Sequence, residues 1–235
     1  MDNSIRFYTE YIKGLMDFSP SFRNLMEQIS WGRLVDYEVR EAAREEVKMF
    51  NQKNNYDVFM THGAYRYCMI ANNCDYVLKF SWDSDGGEDG CEIEMEVYED
   101  AYKCGFADFF AKPYKLGPIE NNHFKTCDFY LMEKAEVDED RITEYCSDPH
   151  YKRLYTTLKD REKDLEYMIE VFEENDTVEV FVDYYINQLE LLEDFIDFVD
   201  GIGLVDLHEN NIGFIGDRPV IIDYAFMKGS REYSY

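Results

Sequence analysis

Proline is scarce, at five residues, and so is positive charge: 24 Lys and Arg stand against 50 Asp and Glu, a formal net charge of −26. So little proline excludes a long rigid linker. A chain without surplus cations cannot neutralise a phosphate backbone, which argues against direct nucleic-acid binding. No run of about 18 apolar residues is present to cross a bilayer. The six cysteines (Cys68, Cys74, Cys91, Cys104, Cys127 and Cys146) contain no CxxC pair, so paired-cysteine metal and redox motifs are absent. The opening MDNSIRFYTEYIKGLM lacks the basic region and apolar stretch of a secretory signal. The expectation is an acidic protein of a reducing cytoplasm, with no membrane partner.

What is abundant is apolar and aromatic. The 235 residues are 46% hydrophobic and include 20 Tyr and 17 Phe, enough to build one substantial domain or two packed lobes. Asp and Glu are spread along the whole chain, which fits plain solubility. The alternative is an acidic surface that engages a basic partner, even as a decoy imitating nucleic acid.

The first 50 residues carry helical signals: Leu15, Phe18 and Phe22, then Leu25, Met26 and Ile29, then the charged run EVREAAREEVKMF. After QKNNYD the pattern changes, and Asp57 to Phe80 reads as two or three short strands with turns at His62-Gly63 and Asn72-Asn73. SWDSDGGEDG, from Ser81 to Gly90, reads as an exposed loop ahead of a helix from Glu92 to Gly105. Phe129 to Met132 is a short apolar strand leading into the acidic connection EKAEVDED. Tyr151 to Phe172 and Val182 to Val199 read as helices, and Gly201 to Tyr224 as loop, strand, Gly-Asp turn and strand. A β-rich front joined through one strand to a helical back predicts an α+β protein with two lobes.

The residues most able to carry chemistry lie in Leu204 to Tyr224. Asp206, His208 and Asn211 share a loop, and Asp223 directly follows Val220, Ile221 and Ile222. A carboxylate after such an apolar run is costly unless it has a partner, so this constellation points to a metal and phosphate site. LVDLHENN, with Asp223 twelve residues beyond Asn211, resembles the catalytic loop and metal-binding aspartate of the protein-kinase-like superfamily, whose loops read HRDLxxxxN or HGDLHxxN. It is most similar to the short bacteriophage or bacterial kinase-like proteins and to the small-molecule kinases of the aminoglycoside and choline type.

The resemblance covers Tyr56 to Tyr224 and implies a two-lobed protein-kinase-like fold. Residues 1–55 would be a helical N-terminal extension, 56–132 a small β-rich lobe with one key helix, and 133–235 a reduced helical lobe. It implies ATP and Mg²⁺ as cofactors and a hydroxyl-bearing phosphate acceptor, a protein or a small molecule, as partner. Lys79, closing the strand YVLK, takes the place of the lysine that meets the α- and β-phosphates. Glu94 would hold it, since Glu94 shares a helix face with Val97, Tyr98 and Ala101; Glu96, which points with Glu99, Asp100 and Lys103, is the alternative. In FYLMEKAEV, Leu131 falls near the gatekeeper position, and the backbone around Glu133 to Ala135 would meet the adenine ring. Asn211 and Asp223 would ligate Mg²⁺, Asp206 would position and deprotonate the acceptor, and His208 would lie close to the transferred phosphate.

Two departures from the pattern bear on activity. Where the family often carries GxGxxG, MTHGAYRY has only Gly63. Grip on the phosphates would then come from neighbours such as His62 and Arg66, which otherwise are plain hairpin surface. Asp223 is followed by Tyr224 and Ala225, with twelve residues in all after it, too few for an activation segment and a peptide-docking platform. A pseudokinase acting through protein contact is therefore the rival reading. His62, His123 and His150 lie apart without zinc-ligand spacing, and DSDGGEDG lacks the alternation of a calcium loop.

Overall fold

In a computed structural model of the chain, the residues described are 1–30, 35–62, 66–81, 89–121, 125–137, 184, 189–204 and 211–225. Gly63, Asp206, His208, the expected helix at 151–172 and most of the Ser81–Gly90 loop lie outside them. The chain divides into two compact units, one of residues 1–96 and 112–134, the other of residues 97–111 and 135–235.

The first unit opens with three helices, α1 (Asp2–Phe18), α2 (Pro20–Ser30) and α3 (Tyr37–Asn54). Their apolar positions recur every three or four residues and bury one stripe each. On α1 these are Tyr8, Tyr11, Ile12, Leu15 and Met16; on α2, Phe22, Leu25, Met26 and Ile29; on α3, Ala43, Val47 and Phe50. Ser19 turns the chain between α1 and α2. Its extended backbone (φ −109°, ψ 105°) ends α1, its hydroxyl accepts the Phe22 amide at 2.9 Å, and Pro20 follows as first residue of α2. Glu46 of α3 fastens this corner by accepting from the Ser19 and Ser21 hydroxyls and, at 3.0 Å, from the Ser21 amide. Asn55 ends α3 in the left-handed region at φ 55°.

Five antiparallel strands follow, β1 (Val58–His62), β2 (Arg66–Ala71), β3 (Tyr76–Ser81), β4 (Pro113–Glu120) and β5 (Lys125–Glu133), in the order β1-β2-β3-β5-β4. Strand alternation gives the sheet two unlike faces. Tyr67, Met69, Ala71, Leu78, Phe80, Phe129 and Leu131 join the buried side chains of α1, α2 and α3 in one apolar core. The Tyr8 hydroxyl ties α1 to strand backbone, donating toward Met69 O at 3.1 Å and Tyr76 O at 2.9 Å and accepting from the Ala71 amide at 3.1 Å. Residues 1–55 thus supply more than half of the buried residues of this core, in the same compact unit as the sheet. β4 has no counterpart in the sequence reading, because Pro113, Gly117 and Pro118 interrupt any strand pattern; the register with β5 shifts beside Gly117 and Pro118.

Helix α4 (Gly90–Cys104) begins in the first unit and ends in the second, where Gly105 at φ 89° stops it. The second unit also holds a 3₁₀ turn (Ala107–Phe109), helix α5 (Leu189–Ile202) and the hairpin of β6 (Ile212–Ile215) and β7 (Arg218–Ile221). Its core is aromatic. Phe109 stacks on Phe195 with ring centroids 3.8 Å apart, and Phe110 meets Tyr224 edge-on at 4.9 Å. Antiparallel strands with helices gathered on the sheet faces make the protein α+β, a β-rich region followed by a smaller, more helical one. Among the described residues, no helix is long and apolar enough to cross a membrane.

Candidate functional site

The second face of the five-stranded sheet carries Ile70, Val77 and Met132 toward one end and, beside them, the charged side chains of the first candidate cluster. Register pairs Arg66 with Ser81, Cys68 with Lys79, and Lys79 with Tyr130, so these side chains share one face. α4 lies against it because its first turn is tied to the end of β3. Asp89 accepts from the Ser81 hydroxyl and from the Cys91 amide at 2.8 Å, and its carbonyl takes the Glu92 amide at 2.8 Å. One turn further on, Glu94 faces inward, 1% exposed, while Glu96 is exposed.

Lys79 Nζ donates to Glu94 Oε1 at 2.9 Å and to Oε2 at 3.2 Å. Arg66 Nη1 donates to the same Oε1 at 2.8 Å. Lys79 and Arg66 are themselves buried, so these are charge-assisted bonds away from bulk water, where breaking one partner is far more costly than at a surface. Desolvation pushes the neighbouring Cys68 thiol up to about 11 although the Lys79 ammonium pulls the other way. The thiol is therefore protonated at neutral pH and is no nucleophile. On the rim, Lys115 Nζ bonds Asp128 at 2.8 Å and lies 5.5 Å over the Tyr130 ring.

Chain connection 133–135 is held tightly by its own backbone. The Glu133 amide donates to Lys112 O at 3.0 Å and the Lys134 amide to Asp75 O at 2.9 Å. Both donors thus serve the fold, which narrows what this stretch can offer a ligand to its remaining groups, those of Ala135 among them. Beyond it, Glu136 exchanges backbone bonds with Phe214 at 2.8 and 2.9 Å. This approach needs Gly213, where a Cβ would come within 2.7 Å of the Ala135 Cβ.

In the second unit, the β6–β7 hairpin sets Asn211 and Asp223 at its open end. Ile212 pairs with Ile221, and the Ile222 amide donates to Asn211 O at 2.8 Å, so Asp223 stands one residue beyond the partner of Asn211. Asn211 is buried and Asp223 half-buried. An amide oxygen and a carboxylate are hard oxygen donors, the set that suits Mg²⁺. Among the described residues, no three His, Cys, Asp or Glu side chains converge as a metal cluster.

Two participants were not assigned a role on Glu94 or α4 from sequence. The sequence leaves Arg66 open between hairpin surface and phosphate grip, and its even spacing with Cys68 on β2 is the signal that places it on the face of Lys79. Asp89 sits three residues before Glu92, the pattern of a helix-capping box. No family model matches the chain, and no curated protein does.

Proposed function

We propose that the protein is an ATP- and Mg²⁺-dependent phosphotransferase of kinase-like design that acts on a hydroxyl acceptor. The observation that carries this reading is the buried pair of Lys79 on β3 and Glu94 on α4, joined at 2.9 Å. A lysine held by a carboxylate in a buried setting keeps its direction, which is what orienting the α- and β-phosphates requires. Asn211 and Asp223 would hold Mg²⁺, which neutralises charge on the phosphates. Ala135 and the backbone about Glu133 would meet the adenine ring, with Gly63 in the turn over the phosphates. Asp206 would accept the acceptor's proton as its oxygen bonds the γ-phosphorus and the bond to the ADP oxygen breaks; His208 would stand near the transferred group.

A pseudokinase reading is favoured by two features, Tyr224-Ala225 after Asp223 and a single glycine, Gly63, in MTHGAYRY. It predicts that Asp206→Asn leaves function intact. The deciding experiment is a thermal melt of wild type and Asp223→Asn with and without ATP, each with and without Mg²⁺. A ligand at about 100 times its Kd adds roughly 2.7 kcal/mol. A shift confined to wild type with ATP and Mg²⁺ together supports the metal-nucleotide site and justifies a search for the phosphate acceptor; no shift under any condition overturns nucleotide binding and leaves an interaction scaffold. Asp206→Asn is expected to keep the nucleotide shift while abolishing transfer.

A further inference from the structure

Glu94 is gripped from two strands at once. Arg66 on β2 and Lys79 on β3 lie diagonally on one face of the sheet, and both donate to Glu94 Oε1, at 2.8 and 2.9 Å. At 1% exposure, this carboxylate cannot turn to water when a partner leaves it. That is a difficulty for a lysine with a second task, because turning the ammonium toward a phosphate draws away the donors it gives to both carboxylate oxygens.

We propose that Arg66 is a positioning residue that keeps Glu94 paired and the start of α4 docked while the Lys79 ammonium turns toward the phosphates of a nucleoside di- or triphosphate. The inference rests on the reading of Lys79 as a phosphate-binding lysine. The two cations divide the work according to their chemistry. Lysine is a compact charge on a flexible stem with three rotatable donors, suited to changing partners; arginine is planar, permanently charged and pre-organised, suited to holding one. The shared oxygen is what couples them: as Lys79 moves away, Oε1 remains with Arg66.

The test compares full-length wild type, Arg66→Gln, Arg66→Lys, Lys79→Met and the double variant Arg66→Gln/Lys79→Met. Two readouts are used, Mg·ATP titration and amide hydrogen exchange over residues 91–97. In Lys79→Met, Arg66 still holds Glu94, so exchange stays within about threefold of wild type, whereas the double variant exchanges at least about tenfold faster. Arg66→Gln weakens Mg·ATP binding about tenfold, and Arg66→Lys, which can restore one charge-assisted bond to Oε1, recovers most of it. A purely structural Arg66 would change stability without this loss and recovery of affinity. If wild type binds Mg·ATP and Arg66→Gln binds it equally well, the proposal alone falls. It falls also if Lys79→Met loosens α4 as fully as the double variant. If wild type fails to bind Mg·ATP, the phosphotransferase reading falls and takes the proposal with it.

Discussion

The two faces of the five-stranded sheet are built from alternate residues of the same strands, yet they obey different physics. On one, Tyr67, Met69, Leu78, Phe80, Phe129 and Leu131 meet three amphipathic helices in an apolar core. On the other, Arg66, Lys79 and Tyr130 meet α4 through Glu94 and Asp89. The apolar face contributes non-directional stability in proportion to the area it removes from water. The charged face contributes little net stability, since desolvation offsets attraction, but it fixes positions to within a hydrogen bond. Stability and positional precision are thus divided between odd and even residues of a strand.

The largest effect that would break this comparison is expected from Glu94→Ala, which removes the carboxylate that two buried cations share. A loss of about 3–5 kcal/mol in denaturant unfolding is expected, together with loss of any Mg·ATP-dependent shift in Tm. An unchanged melt would show the charged face to be as tolerant as an exposed surface. Leu25→Ala on α2 is expected to cost a comparable or smaller amount, about 2–5 kcal/mol, while the Kd for Mg·ATP stays as in wild type. If this change in the apolar core alters affinity beyond its effect on the folded fraction, the two faces are not separable.

The smallest expected effect is alkaline. Desolvation raises the Cys68 thiol from 9.0 to about 11 on the charged face, and the Tyr8, Tyr11 and Tyr67 phenols on the apolar side are pushed up by the same cause. Each folded value exceeds its unfolded one, so the stability these groups supply is intact below the unfolded value and is lost as pH rises through the folded value. Stability should hold to about pH 9 and then decline toward pH 11, the Cys68 share of that decline being about 1–2 kcal/mol, and Cys68→Ser should remove this share and flatten the lower part of the decline. A chemical-denaturation series from pH 7 to 11 reads this directly; stability rising across the window would contradict the burial of these groups.

Much of the architecture was legible beforehand because period carries it. The helices of residues 2–54, the strands at 58–62, 66–71 and 76–81, and the closing hairpin turning at Gly216-Asp217 all announce themselves through spacing of three and four, spacing of two, or turn chemistry. β4 was not legible, since a strand broken by two prolines and a glycine forms only when a neighbour, here β5, supplies the pairing. The helix expected at 151–172, and Asp206, His208 and Gly63, fall outside the described residues.

Within the candidate site, the sequence by itself determined that Glu94 faces inward and Glu96 outward, because a 3.6-residue period decides which carboxylate shares a stripe with Val97 and Ala101. It also determined that Asn211 and Asp223 flank a short hairpin. Tertiary structure alone decided that Arg66 joins Lys79 on one carboxylate oxygen, that the Glu133 and Lys134 amides are spent on Lys112 and Asp75, and that residues 1–55 complete the core of the sheet. The physical reason is common to all three. Periodicity is local and depends on a few neighbouring residues, whereas a shared acceptor, a committed amide or a filled core depends on which distant segments come to lie within a few ångströms.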